Sequence, residues 1–140
     1  MELLIDGISR NKELMSDRHL LSNWLLKACE VIEMTPVGRP RVVAYPWPSS
    51  ADRSALSANC FLAESSIMVH TYPENECVHF DIFSCKDFSV DRIVSFLDET
   101  FALVAGAGLL LRRGVDVRSG LVPAMTVISE WNWGGGNGDR

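Results

Sequence analysis

Two stretches of the chain repeat apolar residues at helical spacing, and the rest breaks into short apolar runs separated by turn-forming residues. Leu20, Leu21, Trp24, Leu25, Ala28, Cys29 and Ile32 recur every three or four positions and predict one helix, with Ser16 or Asp17 as its cap. Pro36 and Gly38 end that region. Ile93, Val94, Phe96, Leu97, Phe101 and Val104 predict a second helix. Ser89 caps it, and Asp91 places a negative charge in its first turn, where the helix dipole favours one. The short runs predict strands at Leu3–Ile5, Arg41–Tyr45, Leu56–Ala63, Ile67–Tyr72, Val78–Phe83, Leu109–Arg112 and Met125–Trp131. Between them lie a polar connector from Asp6 to Ser16, a loop from Trp47 to Arg53 and a turn at Pro73-Glu74-Asn75-Glu76. The Gly-rich end, 132–140, reads as a mobile tail.

Strands joined by short turns, mixed with only two helices, predict an α/β (α+β) two-layer sandwich. An antiparallel sheet carries both helices on one face, and a β-α-β-β unit is used twice. With 140 residues the chain is expected to form a single domain over 1–140.

Composition narrows the function. Hydrophobic residues make up 47% and charged residues 22%, enough apolar material for a core and too little charge for a disordered chain. The net charge of −5, with no Lys/Arg block, argues against a nucleic-acid partner. No apolar run has the length of a membrane helix, and Met1–Asp6 has no export signal, so a cytoplasmic location is expected. Cys29, Cys60, Cys77 and Cys85 show no CxxC or metal-finger spacing, so reduced thiols and no metal are expected. Cys29 falls on the apolar face of the first helix and reads as a small buried hydrophobe.

The informative segment is Ala63-Glu64-Ser65-Ser66-Ile67-Met68-Val69-His70-Thr71-Tyr72-Pro73-Glu74. It gathers two carboxylates, two adjacent serines and a histidine. In a strand Ser66, Met68 and His70 share one face, and Ser65, Ile67 and Val69 share the other. Periodicity alone makes this an amphipathic strand ending in a proline turn.

The segment resembles the self-processing motif of bacterial and archaeal pyruvoyl-dependent S-adenosylmethionine decarboxylases. That motif runs Ala-Glu-Ser-His, then a few apolar or small positions, then His-Thr-Trp-Pro-Glu. The resemblance continues through Asp81-Ile82-Phe83-Ser84-Cys85, which is similar to the family's Asp-Val-Phe-Thr-Cys. It extends upstream to Leu3-Leu4-Ile5-Asp6-Gly7 and downstream to Lys86–Phe101, and weakens beyond Gly114.

The resemblance implies that Ser65 attacks the carbonyl carbon of Glu64 and becomes the cofactor, a pyruvoyl group, as the chain splits into 1–64 and 65–140. Serine suits the step because its hydroxyl serves as nucleophile and then as leaving group. By the same resemblance His70 is the processing base and Ser57 the hydroxyl that assists processing. The mature ketone would hold the substrate amine as a Schiff base and draw electrons as pyridoxal phosphate does. Cys85 matches the family's proton donor and Glu74 the residue that binds the ribose hydroxyls; Trp47 falls in the region where the family has an aromatic, and reads either as the residue facing the adenine or sulfonium or as a loop aromatic packed on the sheet. The implied product is decarboxylated S-adenosylmethionine for spermidine synthesis, made by a homodimer whose sites draw on both protomers.

The chain departs from the family motif at a few positions. Ser66 stands where the family has histidine, Tyr72 replaces tryptophan, and Cys77 and His79 occupy positions that are more often small or aromatic. Ser66 is expected beside the cofactor. It keeps open a pyruvoyl enzyme of the same fold acting on ornithine or arginine, and an unprocessed regulatory homologue.

Overall fold

The computed structural model describes residues 1–47, 53–63, 65–112 and 124–128. The elements in order are β1 (Glu2–Ser9), α1 (Lys12–Ser16), α2 (Arg18–Val31), β2 (Arg41–Pro46), β3 (Ser54–Leu62), β4 (Ser65–Tyr72), β5 (Cys77–Ser84), α3 (Val90–Phe101), β6 (Leu103–Arg112) and β7 (Ala124–Ile128). The seven strands form one sheet in the order β2-β3-β4-β5-β1-β6-β7, and every adjacent pair is antiparallel. The expected repeat covers β1-α2-β2-β3 and β5-α3-β6-β7, with β4 standing between the two units.

Side-chain alternation splits the sheet into a dry face and an open one. On β4, Ile67, Val69 and Thr71 are buried, while Met68 is exposed and His70 and Tyr72 are half-buried. On β3 and β5 the buried sets are Ala58, Cys60 and Leu62, and Val78, Phe80 and Ile82. These residues meet the apolar stripes of the helices: Leu21, Trp24, Leu25 and Ala28 from α2, and Ile93, Val94, Leu97 and Phe101 from α3. Trp24 ties the layers together. Its ring stacks on Phe96, meets Phe80 and Phe101 edge-on, and its Nε1 donates to Thr100 Oγ1 at 2.7 Å.

Three boundaries differ from the sequence reading. The expected connector holds the end of β1 and the short helix α1, which Asn11 caps by accepting from the Leu14 N–H. Asp17 then caps α2, its carboxylate accepting from His19 and Leu20. Helix α3 stops before Val104. Ala102 takes a left-handed conformation (φ 49°, ψ 56°), and the chain turns directly into β6, where Val104 is exposed. The last strand begins near its expected start but is described only to Ile128. The expected tail, the middle of the 47–53 loop and Glu64 lie outside the described residues. Among those residues no helix is long and apolar enough to cross a membrane.

Candidate active site

Ser65 is the first residue of β4, and its half-buried side chain belongs to the helix-facing set with Ile67 and Val69. It pairs with Leu62 of β3 and Ser84 of β5. Its hydroxyl donates to Ser84 Oγ at 2.8 Å. Ser84 is fully buried. It also accepts from the Lys86 N–H (2.9 Å) and donates to the Lys86 carbonyl (2.7 Å). Cys85 comes next and is exposed. Ser65 therefore sits across the β4–β5 ladder from the residue that precedes Cys85. A hollow of about 170 Å³, with Met34, Thr35, Ala63 and Lys86 in its wall, opens onto Ser65.

A second group lies on the open face. Ser57 of β3 and His70 of β4 are direct cross-strand partners, and Ser57 Oγ lies 2.8 Å from His70 Nδ1. Burial pushes the His70 imidazole below its ordinary 6.5, and the neighbouring His79 adds to this, while Asp81 offsets part of it. His79 itself is held by Asp6, Nδ1 to Oδ1 at 2.6 Å. A second hollow of about 230 Å³ lies over this pair, lined also by Arg41, Asn59 and Met68.

Trp47 and Glu74 lie toward the turn end of β4, away from Ser65. Trp47 follows β2 and meets the Tyr72 ring edge-on at 6.4 Å between centroids, and Tyr72 Oη lies 3.4 Å from Tyr45 Oη. Glu74 is exposed in the turn after β4, at the far end of the strand from Ser65.

One chain thus divides the named residues into two sets. Ser65 and Cys85 occupy one end of the β4–β5 hairpin; Ser57 and His70, with Trp47 and Glu74 beyond them, occupy the open face and the other end. Five strand positions separate Ser65 from His70, about 16 Å of rise, and their side chains leave opposite faces. Ser66 shares the open face with His70, in register with Phe61 and Phe83, so its side chain points away from the face that carries the Ser65 hydroxyl.

By sequence Ser84 is only one position of Asp81-Ile82-Phe83-Ser84-Cys85. Its contact with Ser65 spans nineteen positions and leaves no local pattern. Among the described residues no group of three or more His, Cys, Asp or Glu side chains could hold a metal ion.

These features define a two-layer antiparallel α+β protein with Ser57, Ser65 and His70 on the neighbouring strands β3 and β4. The chain belongs to the S-adenosylmethionine decarboxylase family, whose model matches residues 1–113. Two relatives from Clostridium botulinum, strains Loch Maree / Type A3 and 657 / Type Ba4, are named S-adenosylmethionine decarboxylase proenzyme. Each is 28% identical over 98 residues, covering 69% of this chain and 78% of the relative. The crystal structure of the adenosylmethionine decarboxylase from Aquifex aeolicus shares the fold, with a TM-score of 0.63 at 13% identity over 76% of this chain and 83% of that one.

Proposed function

We propose that this chain cleaves itself between Glu64 and Ser65 and that two copies together decarboxylate S-adenosylmethionine, feeding polyamine synthesis. The observation that carries the proposal is the Ser65 hydroxyl, fixed at the head of β4 beside a hollow, with the exposed Cys85 next to its cross-strand partner. The proenzyme names of the Clostridium relatives support a processed chain.

In processing, Ser65 Oγ adds to the Glu64 carbonyl carbon. The Glu64–Ser65 C–N bond breaks, the nitrogen takes up the proton that Oγ gives up, and an ester results. Removal of the Ser65 α-proton expels the Glu64 carboxylate from Cβ. The remaining enamine takes up water and loses ammonia, leaving a ketone at the new terminus. His70 is the base for the α-proton. Its lowered pKa keeps it neutral near pH 7, and a proton on Nδ1 donated to Ser57 leaves Nε2 free to accept.

The distance within one chain bears on which copy supplies His70. A base acts at hydrogen-bond distance, about 3 Å, and about 16 Å of strand intervenes here. The reading is therefore a pair of chains, in which the Ser57–His70 set of one completes the Ser65–Cys85 set of the other. The open face that carries the first set also exposes Val43, Phe61 and Met68, apolar surface that a second copy would cover.

The pyruvoyl group formed from Ser65 would supply an electron sink for decarboxylation. Around it, the Cys85 thiol would return a proton to the product carbon, the Glu74 carboxylate would accept from the ribose hydroxyls, and Trp47 would face the adenine or sulfonium. The test is intact mass under denaturing conditions, followed by release of labelled carbon dioxide from S-adenosylmethionine, ornithine and arginine. Two chains whose masses meet at Glu64/Ser65, with carbon dioxide from the nucleoside alone, are expected. A persistently whole chain overturns the proposal, and turnover of an amino acid alone overturns the substrate.

A further inference from the structure

We infer that Ser84 is the positioning residue for self-cleavage, holding the Ser65 hydroxyl in the attitude from which it attacks Glu64. The inference rests on the self-cleavage reading above and adds a residue to it.

The hydrogen bonds of Ser84 fix its direction. Its one proton goes to the Lys86 carbonyl at 2.7 Å, a stronger and nearer acceptor than the Met34 thioether at 3.7 Å, and one lone pair receives the Lys86 N–H at 2.9 Å. A hydroxyl has one donor and two acceptor sites, so the remaining capacity of Ser84 is to accept. The Ser65 proton fills it, at 2.8 Å. The Ser65 O–H bond is therefore aimed at Ser84, and the Ser65 lone pairs are left for attack on carbon. Ser84 is fully buried and its backbone lies in the β4–β5 ladder, so the acceptor does not wander. The energetic effect is one of orientation: a hydroxyl with three staggered choices is held to one before the bond forms.

Ser84 does not serve as the base. A proton accepted from Ser65 would require Ser84 to surrender its own to a backbone carbonyl, which is too weak an acceptor to keep it. The bond also exists only before cleavage. Elimination removes Oγ from Cβ with the Glu64 carboxylate, so the interaction belongs to the precursor and not to the processed chain.

The experiment follows appearance of the two pieces by mass in freshly refolded Ser84→Ala, Ser84→Thr and Ser84→Cys beside the parent chain. Ser84→Ala is expected to cleave about tenfold more slowly. Ser84→Thr, which restores the hydroxyl, is expected to return to within about twofold of the parent. Ser84→Cys keeps nearly the same volume but accepts a hydrogen bond poorly, so it stays slow even if the alanine variant fails to fold. Hydroxylamine, which cuts an ester but spares an amide, separates the steps. It should release little in Ser84→Ala, where ester formation is the slow step, and much in His70→Ala, where elimination is slow. Cleavage of folded Ser84→Ala or Ser84→Cys at the parent rate overturns the role of Ser84 and leaves self-cleavage standing. A Ser84→Thr chain as slow as Ser84→Ala also overturns it. A parent chain that never cleaves overturns both.

Discussion

Mixing two inactive variants tests the two-chain site directly. Ser65→Ala removes the proposed nucleophile and keeps His70; His70→Ala removes the proposed base and keeps Ser65. Each alone is expected to remain whole, or to stall at the ester in the second case. The structure sets the expectation for their mixture. Within one chain the two residues lie five positions apart on opposite faces of β4, about 16 Å, against the roughly 3 Å that proton transfer needs. No rotamer of a histidine spans that gap. In a mixed pair, the Ser65 of the His70→Ala chain would meet the His70 of the Ser65→Ala chain. Equal co-expression with random pairing makes about half of the dimers mixed, each with one complete site. About half of the His70→Ala chains should therefore be cleaved, and decarboxylase sites should return to about a quarter of the parent number. Affinity tags of different mass identify which chain is cut. If mixed dimers form and every His70→Ala chain stays whole, the two-copy site is wrong.

Other expectations concern single groups. Because burial and His79 lower the His70 pKa, the imidazole stays neutral to lower pH, so cleavage should fall on the acid side only below 6.5; His79→Ala should move that limb upward. The same depression means the unfolded chain binds the proton first, so His70's contribution to stability is present above 6.5 and is lost as pH falls toward the lowered value, which denaturant midpoints across pH would show. Cys85→Ala should process but lose turnover by about a hundredfold, measured as carbon dioxide released per cleaved chain. Burial and the adjacent Cys60, with Sγ–Sγ at 3.8 Å, push the Cys29 thiol up to about 12, so native labelling at neutral pH should reach Cys85 and spare Cys29. Trp24→Ala should cost about 3–5 kcal/mol in urea unfolding, since it empties the junction of Phe80, Phe96 and Phe101.

The sequence was most legible where the signal was local. The helical stripe from Leu20 to Ile32 marks α2 by itself, with its cap narrowed to Ser16 or Asp17, and alternation assigns the faces of β4 residue by residue. It was least legible where an element is short or a stop lacks its usual residue. Helix α1 has five residues, too few to show a period. The end of α3 falls at Ala102 in a left-handed conformation where glycine would have marked it, so Val104 was read as another helical position.

The candidate site divides the same way. Sequence alone supplied the proposed chemistry, because the hydroxyl of Ser65, the imidazole of His70 and the thiol of Cys85 are properties of single residues and of the motif they resemble. It also determined that Ser65 and His70 leave opposite faces, since that follows from an odd separation in a strand. Tertiary structure decided which groups touch. The β3–β4 register sets Ser57 against His70, and the β4–β5 register sets Ser65 against Ser84. Those contacts join residues thirteen and nineteen positions apart. Register is settled by which face of each strand the helices bury, an energy spread over the whole sheet, and so it is written in no short segment of the chain.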